Sequence, residues 1–482
     1  MLSITDLRKI NDYLWEIPKI FRQDMRVPAR AYVSIKMLED VFRDKSLSQL
    51  VNVATLPGIV NYSIAMPDMH EGYGFPIGGV AAMDMKEGVI SPGGVGYDIN
   101  CGMKLLKSDF SEKDIRPSYL DKLATEIQNE VPSGLGRGRQ MKVDINSINK
   151  ILEQGGQRLV EQGYGEKEDL ENCESQGKLP WADASTVSDH AKNRGRDQVG
   201  TLGSGNHFLE VQKVEEIFDA KIAETFGLFK DQVVIMIHTG SRGLGHQIAT
   251  DYIRLMMGAT FKYGIKLADR ELVACPIKSP EGERYFSAMA CGANYAWANR
   301  QMITHFVRSA WKRVVGEKAS SLAVLYDVAH NIAKIEKHNV SGKEVELCLH
   351  RKGATRAFPP GHSEIPEKYR ESGQPVLIPG SMGTASYILA GAEGGKETFF
   401  SSCHGAGRTM SRHEATRRMS GEEIVKNLES KGIIVKCRSY RGIAEEAPMA
   451  YKDIDSVVEV IHNAGLSKKV VRLVPLAVIK GE

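Results

Sequence analysis

Apolar positions near the start of the chain recur at helical spacing. Ile35, Leu38, Val41 and Phe42 share one face, which predicts an amphipathic helix from about 35 to 50 behind a short strand or loop. From Asn61 the period is lost, and PDMHEGYGFPIGG reads as a glycine-flanked loop holding His70 and Glu71. Helical spacing returns over 116–133 and 146–164, and 165–200 reads as a polar connector tolerant of insertion. A strand-like alternation runs from His207 to Val211, followed by a helix-like 213–229 and by a buried strand over Val233–Ile237. A long helix is expected at about 283–314, with Tyr285, Phe286, Tyr295, Trp297, Phe306 and Trp311 as packing residues rather than base-stacking ones. An apolar strand over Leu322–Tyr326, short strands and basic loops beyond Lys343, a strand-like Thr398–Cys403, an arginine-bearing helix and a terminal strand VVRLVPLAVIK complete the pattern. Strands and helices are mixed and no repeat or low-complexity linker divides them. The expected fold is therefore α+β, one large compact domain over 1–482, with mixed β-sheets and peripheral helices around a cleft.

Composition narrows the class. The 482 residues are 42% hydrophobic and 26% charged, ordinary for a globular chain, and a net charge of +3 is too small to argue nucleic acid by itself. Seven cysteines without a C-x-x-C pair fit neither a disulfide framework nor a zinc ribbon, which points to a reducing compartment. The first residues carry charges throughout with no apolar core of a signal, and no apolar run approaches the length of a membrane span, so a cytoplasmic protein is expected.

Candidate chemistry gathers where apolar runs give way to glycine turns. SPGGVGYDINCGM sets Asp98 and Cys101 three residues apart in a glycine-rich loop, one hard oxygen donor and one soft sulfur donor. Three further strand ends carry histidine: His207 where the GSGN loop opens a strand, His238 before GSRG, and His330 after DVA. Histidines in satisfied cores usually occur singly, so Asp98, Cys101, His207, His238 and His330 together read as a metal site. Pro379 to Ser386 forms a glycine and hydroxyl loop able to offer N–H groups to phosphate or to a base, with a plain turn as the competing reading. His404 opens a glycine turn with Arg408, Arg412, Arg417 and Arg418 behind it, placed for phosphate as ligand or nucleophile, or else heading a solvated helix face. GAEGGKET misses P-loop spacing by one residue and lacks Ser or Thr after Lys396, so it is set aside. Lys480 closes an apolar strand and is expected at a fixed place.

The set D-x-x-C-G, G-N-H-F-L-E, H-T-G-S-R-G-L-G, D-V-A-H-N, P-G-S-M-G-T-x-S-Y, H-G-A-G-R and a terminal Lys-Gly, in that order from about residue 60 to 481, resembles the RtcB family of RNA ligases. The resemblance implies two manganese ions, one on Asp98, Cys101 and His207, the other on Cys101, His238 and His330, with the thiolate shared. Thiolate and imidazole alone would suit zinc; manganese comes only with the resemblance. It further implies that His404 is guanylylated from GTP. The guanylate pocket would be lined by Asn206, His207, Phe208, Leu209, Glu210, His330, Asn331, Pro379, Gly380, Ser381, Met382, Ser386, His404, Gly405, Ala406, Gly407, Tyr451 and Lys480.

The implied substrates are RNA 2′,3′-cyclic phosphate or 3′-phosphate ends and 5′-hydroxyl ends, tRNA exon halves among them, in tRNA splicing or RNA repair, with an activating protein of the archease type as a further partner. Arg242, Lys352, Arg356, Arg408 and Arg412 are candidates for the RNA backbone, and Phe208 for stacking at an RNA end. A two-metal phosphoesterase would share the metal cluster but need neither GTP nor a covalent histidine. A non-catalytic RNA scaffold would leave the ligands at the strand ends unexplained. The K-x-D-G lysine motif of conventional nucleotidyl-transfer ligases is absent.

Overall fold

The computed structural model describes residues 2–115, 117–133, 143–316 and 321–481. Its organising strand is Gln232–Thr239, whose QVVIMIHT sequence is buried at every position, as a short continuous apolar run demands. That strand belongs to an eight-stranded sheet. The order is Ala323–Ala329, Gly102–Ser111, Gln232–Thr239, Phe208–Ile217, Ser467–Lys480, Ser386–Gly391 and Pro375–Ile378, antiparallel throughout, with Ile434–Lys436 added in parallel to Ser467–Lys480. A seven-stranded sheet runs Arg8–Asn11, Leu14–Ile17, Ala29–Tyr32, Ile59–His70, Ile77–Asp84, Lys343–Lys352 and Asn331–Val340. The chain passes from the first sheet to the second at His330, between Ala323–Ala329 and Asn331–Val340.

Helix Pro280–Val315 supports both. Ser279 caps it by accepting from the Gly282 N–H, and Pro280 occupies the first turn, where no N–H is needed. Tyr285, Tyr295, Trp297 and Trp311 are buried along it, so the packing role expected of its aromatics holds. One contiguous core of buried side chains, from Leu7 to Ile479, joins the two sheets and this helix, and the architecture is α+β as expected. No helix among the described residues is long and apolar enough to cross a membrane.

Several local expectations are corrected. The helix predicted over 35–50 is broken into Leu38–Val41 and Ser46–Val53. The apparent loop from Asn61 is largely two strands, Ile59–His70 and Ile77–Asp84, because pairing with each other and with neighbouring strands outweighs the local glycine content. The 146–164 helix breaks at Gly155, which takes φ +61° and leaves no room for a Cβ against the Gly177 carbonyl. Of the 116–133 helix, residue 116 lies outside the described residues and the helix is Pro117–Glu130. The 165–200 connector is no loose insertion: it contains Lys167–Glu171 and Asp189–Gly195, and its Asp169 is buried against Arg308 at 2.7 Å. The 213–229 segment continues as strand to Ile217 and is helical only over Ala220–Phe226. Lys343–Lys352 is one ten-residue strand rather than short strands and loops, and the strand before His404 is Ser401–Cys403.

Candidate active site

Register places the ends of five neighbouring strands level. Gly102 pairs with both Ala329 and Thr239, Met103 and Phe208 both pair with His238, and Lys480 pairs with Phe208. Cys101, His207, His238, His330 and Lys480 therefore share one sheet edge, although some 380 positions separate Cys101 from Lys480 (480 − 101 = 379).

The donors converge there. Cys101 Sγ lies 3.4 Å from His207 Nε2 and 3.3 Å from His238 Nε2, His238 Nε2 lies 3.3 Å from His330 Nε2, and His207 Nε2 lies 2.8 Å from Asp98 Oδ2. Two triads result, Asp98–Cys101–His207 and Cys101–His238–His330, each with its ligand atoms within 4.8 Å of one another and both sharing the thiol. Burial, then the neighbouring histidines, push His238 and His330 well below the ordinary imidazole range, so their rings are neutral at neutral pH. Burial works the other way on Asp98, but His207 and Arg242 outweigh it and hold the carboxyl below its usual range. Burial and then Asp98 raise the Cys101 thiol. Two neutral ring nitrogens 3.3 Å apart can share at most one proton, whereas a cation among these atoms satisfies them all, so the donor set fits divalent metal. Arg242 Nη1 donates to His207 Nδ1 at 3.1 Å, which leaves the ring proton on Nε2 facing Asp98, where a cation would replace it.

Beneath the cluster, Arg300 is fully buried. It donates to the carbonyls of Asn100 and Thr239 at 2.8 and 2.9 Å, to Asn100 Oδ1 at 3.0 Å and to Asp327 at 2.9 Å, tying together the segments that carry Cys101 and His238.

His404 joins this row from the other side, its ring 5.0 Å from that of His330. Its backbone N–H donates to Asp68 Oδ2 at 3.0 Å, and its Nδ1 lies 2.5 Å from the same oxygen. Asp68 comes from strand Ile59–His70 of the seven-stranded sheet, so the histidine stands where the two sheets meet, with Nε2 as its remaining nitrogen. A cleft of about 600 Å³ opens beside it, lined by His404 to Arg412, by Pro379 to Met382, and by Asn206, Phe208, His238, Glu446, Tyr451 and Lys480. Lys480 Nζ donates to the carbonyls of Gly205 and His207 at 2.7 and 3.1 Å, and burial pushes its pKa down to about 8. Glu446 accepts from Arg408 and Arg412, both at 2.7 Å, and contacts the Tyr451 hydroxyl, so one carboxylate steadies two arginines at the rim.

Comparison with known proteins bears directly on this geometry. The family model described as tRNA-splicing ligase RtcB matches residues 49–481. A tRNA-splicing ligase RtcB of Thermococcus kodakarensis is 54% identical over 484 residues, covering 100% of both chains. That of Archaeoglobus fulgidus is 54% identical over 98% of this chain and 99% of its own length, and an RNA-splicing ligase RtcB of Mycobacterium tuberculosis is 52% identical over 90% of this chain and 100% of its own. The chain belongs to the RtcB family. It is an RNA ligase.

Of the residues that the RtcB resemblance singles out, Asn206, Phe208, Pro379 to Met382, His404 to Gly407, Tyr451 and Lys480 line the cleft. Others do not. Leu209 is buried in the main core, and Ser386 lies behind the wall, its Oγ accepting from the Gly380 N–H and from Gln212 Nε2. Glu210 is buried beside Gln212, which donates to it at 2.6 Å. Asn331 acts as a latch, donating to the Asp98 carbonyl and accepting from Gly353 N–H. Phe208 packs edge-on against His238 with ring centres 5.3 Å apart.

Two of the five RNA-backbone candidates are corrected. Arg356 is 1% exposed and committed to Gln374, Glu364 and Tyr326, because pairing of Ala354–Arg356 with Ser401–Cys403 turns it inward. Lys352 is buried with its ammonium on the carbonyls of Tyr73 and Phe75. Arg408 and Arg412 line the cleft, and Arg242 bonds His207 of the donor cluster. The sequence reading missed Asp68, Glu446 and Arg300. Asp68 stood two residues before the noticed His70, but nothing in its neighbourhood marks it as a partner of His404.

Proposed function

We propose that this RNA ligase works through GMP carried on His404, joining RNA 2′,3′-cyclic phosphate or 3′-phosphate ends to 5′-hydroxyl ends in tRNA splicing or RNA repair. The observation that supports this most is the Asp68–His404 contact beside the paired donor triads. A two-metal phosphoesterase would need the donor triads alone, with neither a bound nucleotide in the cleft nor a covalent histidine.

In this reading Asp98, Cys101 and His207 hold one manganese ion and Cys101, His238 and His330 the other. Bound there, the cations supply the positive charge that stabilises phosphoryl oxygens. GTP lies in the cleft among Asn206, the Pro379–Met382 turn, the His404–Gly407 turn, Tyr451 and Lys480. His404 Nε2 attacks the α-phosphorus; a P–N bond forms, the bond to pyrophosphate breaks, and Asp68 holds the Nδ1 proton of the resulting cationic ring. An oxygen of the RNA 3′-phosphate then displaces the imidazole, taking GMP onto the RNA. Where the end begins as a 2′,3′-cyclic phosphate, water first opens it to the 3′-phosphate. Finally the 5′-hydroxyl attacks the RNA 3′-phosphorus and GMP departs. Arg408 and Arg412, steadied by Glu446, and Arg242 are placed to counter RNA phosphates. tRNA exon halves are the natural class of substrate, with an archease-type protein as activator.

Incubation with α-labelled GTP and manganese tests the reading. The expected product is protein labelled through a bond stable to alkali and lost in acid, absent from His404→Ala. That variant should still join an RNA supplied with its 3′ end already activated by GMP, since only the covalent step has been removed. Joining by wild type without any labelled protein, or label on a lysine, would defeat the proposal.

A further inference from the structure

Next to Asp98, where the run of contacts that begins at His404 ends, stands a short ladder of rings. Tyr97 and His246 are stacked, with centres 5.3 Å apart and planes at 24°, and Tyr73 meets Tyr97 edge-on at 5.5 Å. The His246 ring is exposed and the two tyrosines are half-buried, so the ladder ends at solvent rather than in core. None of the three lines the cleft beside His404.

The order of groups gives the ladder a role. Ring contacts run from His404 to His330 at 5.0 Å, to His238 at 5.1 Å and to His207 at 5.5 Å; His207 then bonds Asp98 at 2.8 Å, and Asp98 directly follows Tyr97. The donor row thus has His404 at one end and the ladder at the other. In an in-line displacement the attacking and leaving oxygens lie on opposite sides of phosphorus. If GMP leaves on the His404 side, the 5′-hydroxyl enters from the Asp98 side, where the rings stand.

We propose that the Tyr73–Tyr97–His246 ladder receives the terminal nucleobase of the 5′-hydroxyl RNA strand, which continues the stack on the exposed ring of His246. Charge around the ladder sets the direction of the strand. Arg242 lies one turn before His246 on helix Arg242–Lys262, and exposed Arg194 donates to Gln247 beside it at 2.9 Å. At the opposite end the Glu271 carboxylate accepts from the Gly74 N–H at 2.9 Å, next to Tyr73. The exposed arginine side draws phosphates, while at the Tyr73 end the Lys352 ammonium on the Tyr73 carbonyl offsets Glu271, which leaves the base to the rings. Single-stranded ends suit such a platform because every base offers a π-face, so little sequence preference is expected. The inference rests on the ligase reading above.

The test is joining by the full chain with manganese and GTP, with each RNA strand varied in turn. His246→Ala and Tyr97→Ala should raise KM for the 5′-hydroxyl strand about tenfold, the scale of one lost base stack, and His246→Phe should restore it. With wild-type protein, a 5′-hydroxyl strand whose first nucleotide is abasic should show the same rise, and the alanine variants should show no further loss with that strand. Multiplying losses, an unchanged KM, or a rise confined to the 3′-phosphate strand would overturn the proposal. So would loss of GMP labelling in both alanine variants, since the rings would then be acting on the metal site instead. Failure of the ligase reading would look different: wild type itself would join no ends and take no label.

Discussion

Asp68 Oδ2 holds His404 twice, by the backbone N–H at 3.0 Å and at Nδ1 at 2.5 Å, across 336 positions of sequence. A carboxylate there fixes the ring orientation and keeps the proton on Nδ1, so that Nε2 presents a lone pair to the cleft.

Asp68→Ala removes the one oxygen that meets both the backbone N–H and Nδ1 of His404, so neither the ring orientation nor the Nδ1 proton is held. GMP labelling of His404 should slow by about 10²- to 10⁴-fold, while manganese content stays at the wild-type level. Labelling at the wild-type rate would mean that Asp68 plays no part in activating the ring.

Cys101 is the one donor common to both triads. Cys101→Ala should bring bound manganese, counted by elemental analysis after gel filtration, down from two ions per chain and abolish joining. Cys101→Ser should retain more metal yet lose most activity, since an alcohol is a poor anionic bridge near neutral pH. Two ions and normal turnover in the alanine variant would remove the shared-thiolate arrangement.

Arg300 supports the same loops from below, and its loss leaves Asp327 buried, with Lys104 at 3.9 Å as its remaining cationic partner among the described residues. Arg300→Met should cost about 3–5 kcal/mol in urea unfolding of the metal-free protein, the usual penalty for orphaning a buried charge. A loss under about 1 kcal/mol would show that the network relaxes around the change.

Glu210 carries a pH signature. Burial raises its carboxyl from 4.5 to about 7, so between those values the folded chain keeps a proton that the unfolded chain has released. Stability from this group is therefore highest below pH 4.5 and declines as pH rises toward 7, by up to about 3 kcal/mol. Glu210→Gln should remove that part of the decline when unfolding free energies at pH 5 and pH 8 are compared. An identical pH dependence in the two proteins would show that Glu210 is ionised in the fold.

Strand-then-ligand signals at His207, His238 and His330, and the glycine loop around Asp98 and Cys101, were legible because each is local: an apolar run, a turn and a donor within a dozen residues. The buried aromatics of helix Pro280–Val315 were legible for the same reason. Pairing over long distances decided the rest. Residues 213–217 read as helix but extend a strand, because Val471 to Val474 of the terminal strand pair with them across the whole intervening chain. Arg356 read as a basic surface residue, yet one three-residue pairing buries it against Gln374 and Glu364. Asp68 sits in a strand with nothing near it in sequence to mark its role, and becomes His404's partner only where the two sheets meet. Side-chain type and local spacing are properties of the chain alone, and they determined which residues offer metal-binding chemistry. Which donors share a proton, which charges are buried, and which carboxylate aligns the histidine depend on register and sheet packing, which local spacing does not encode.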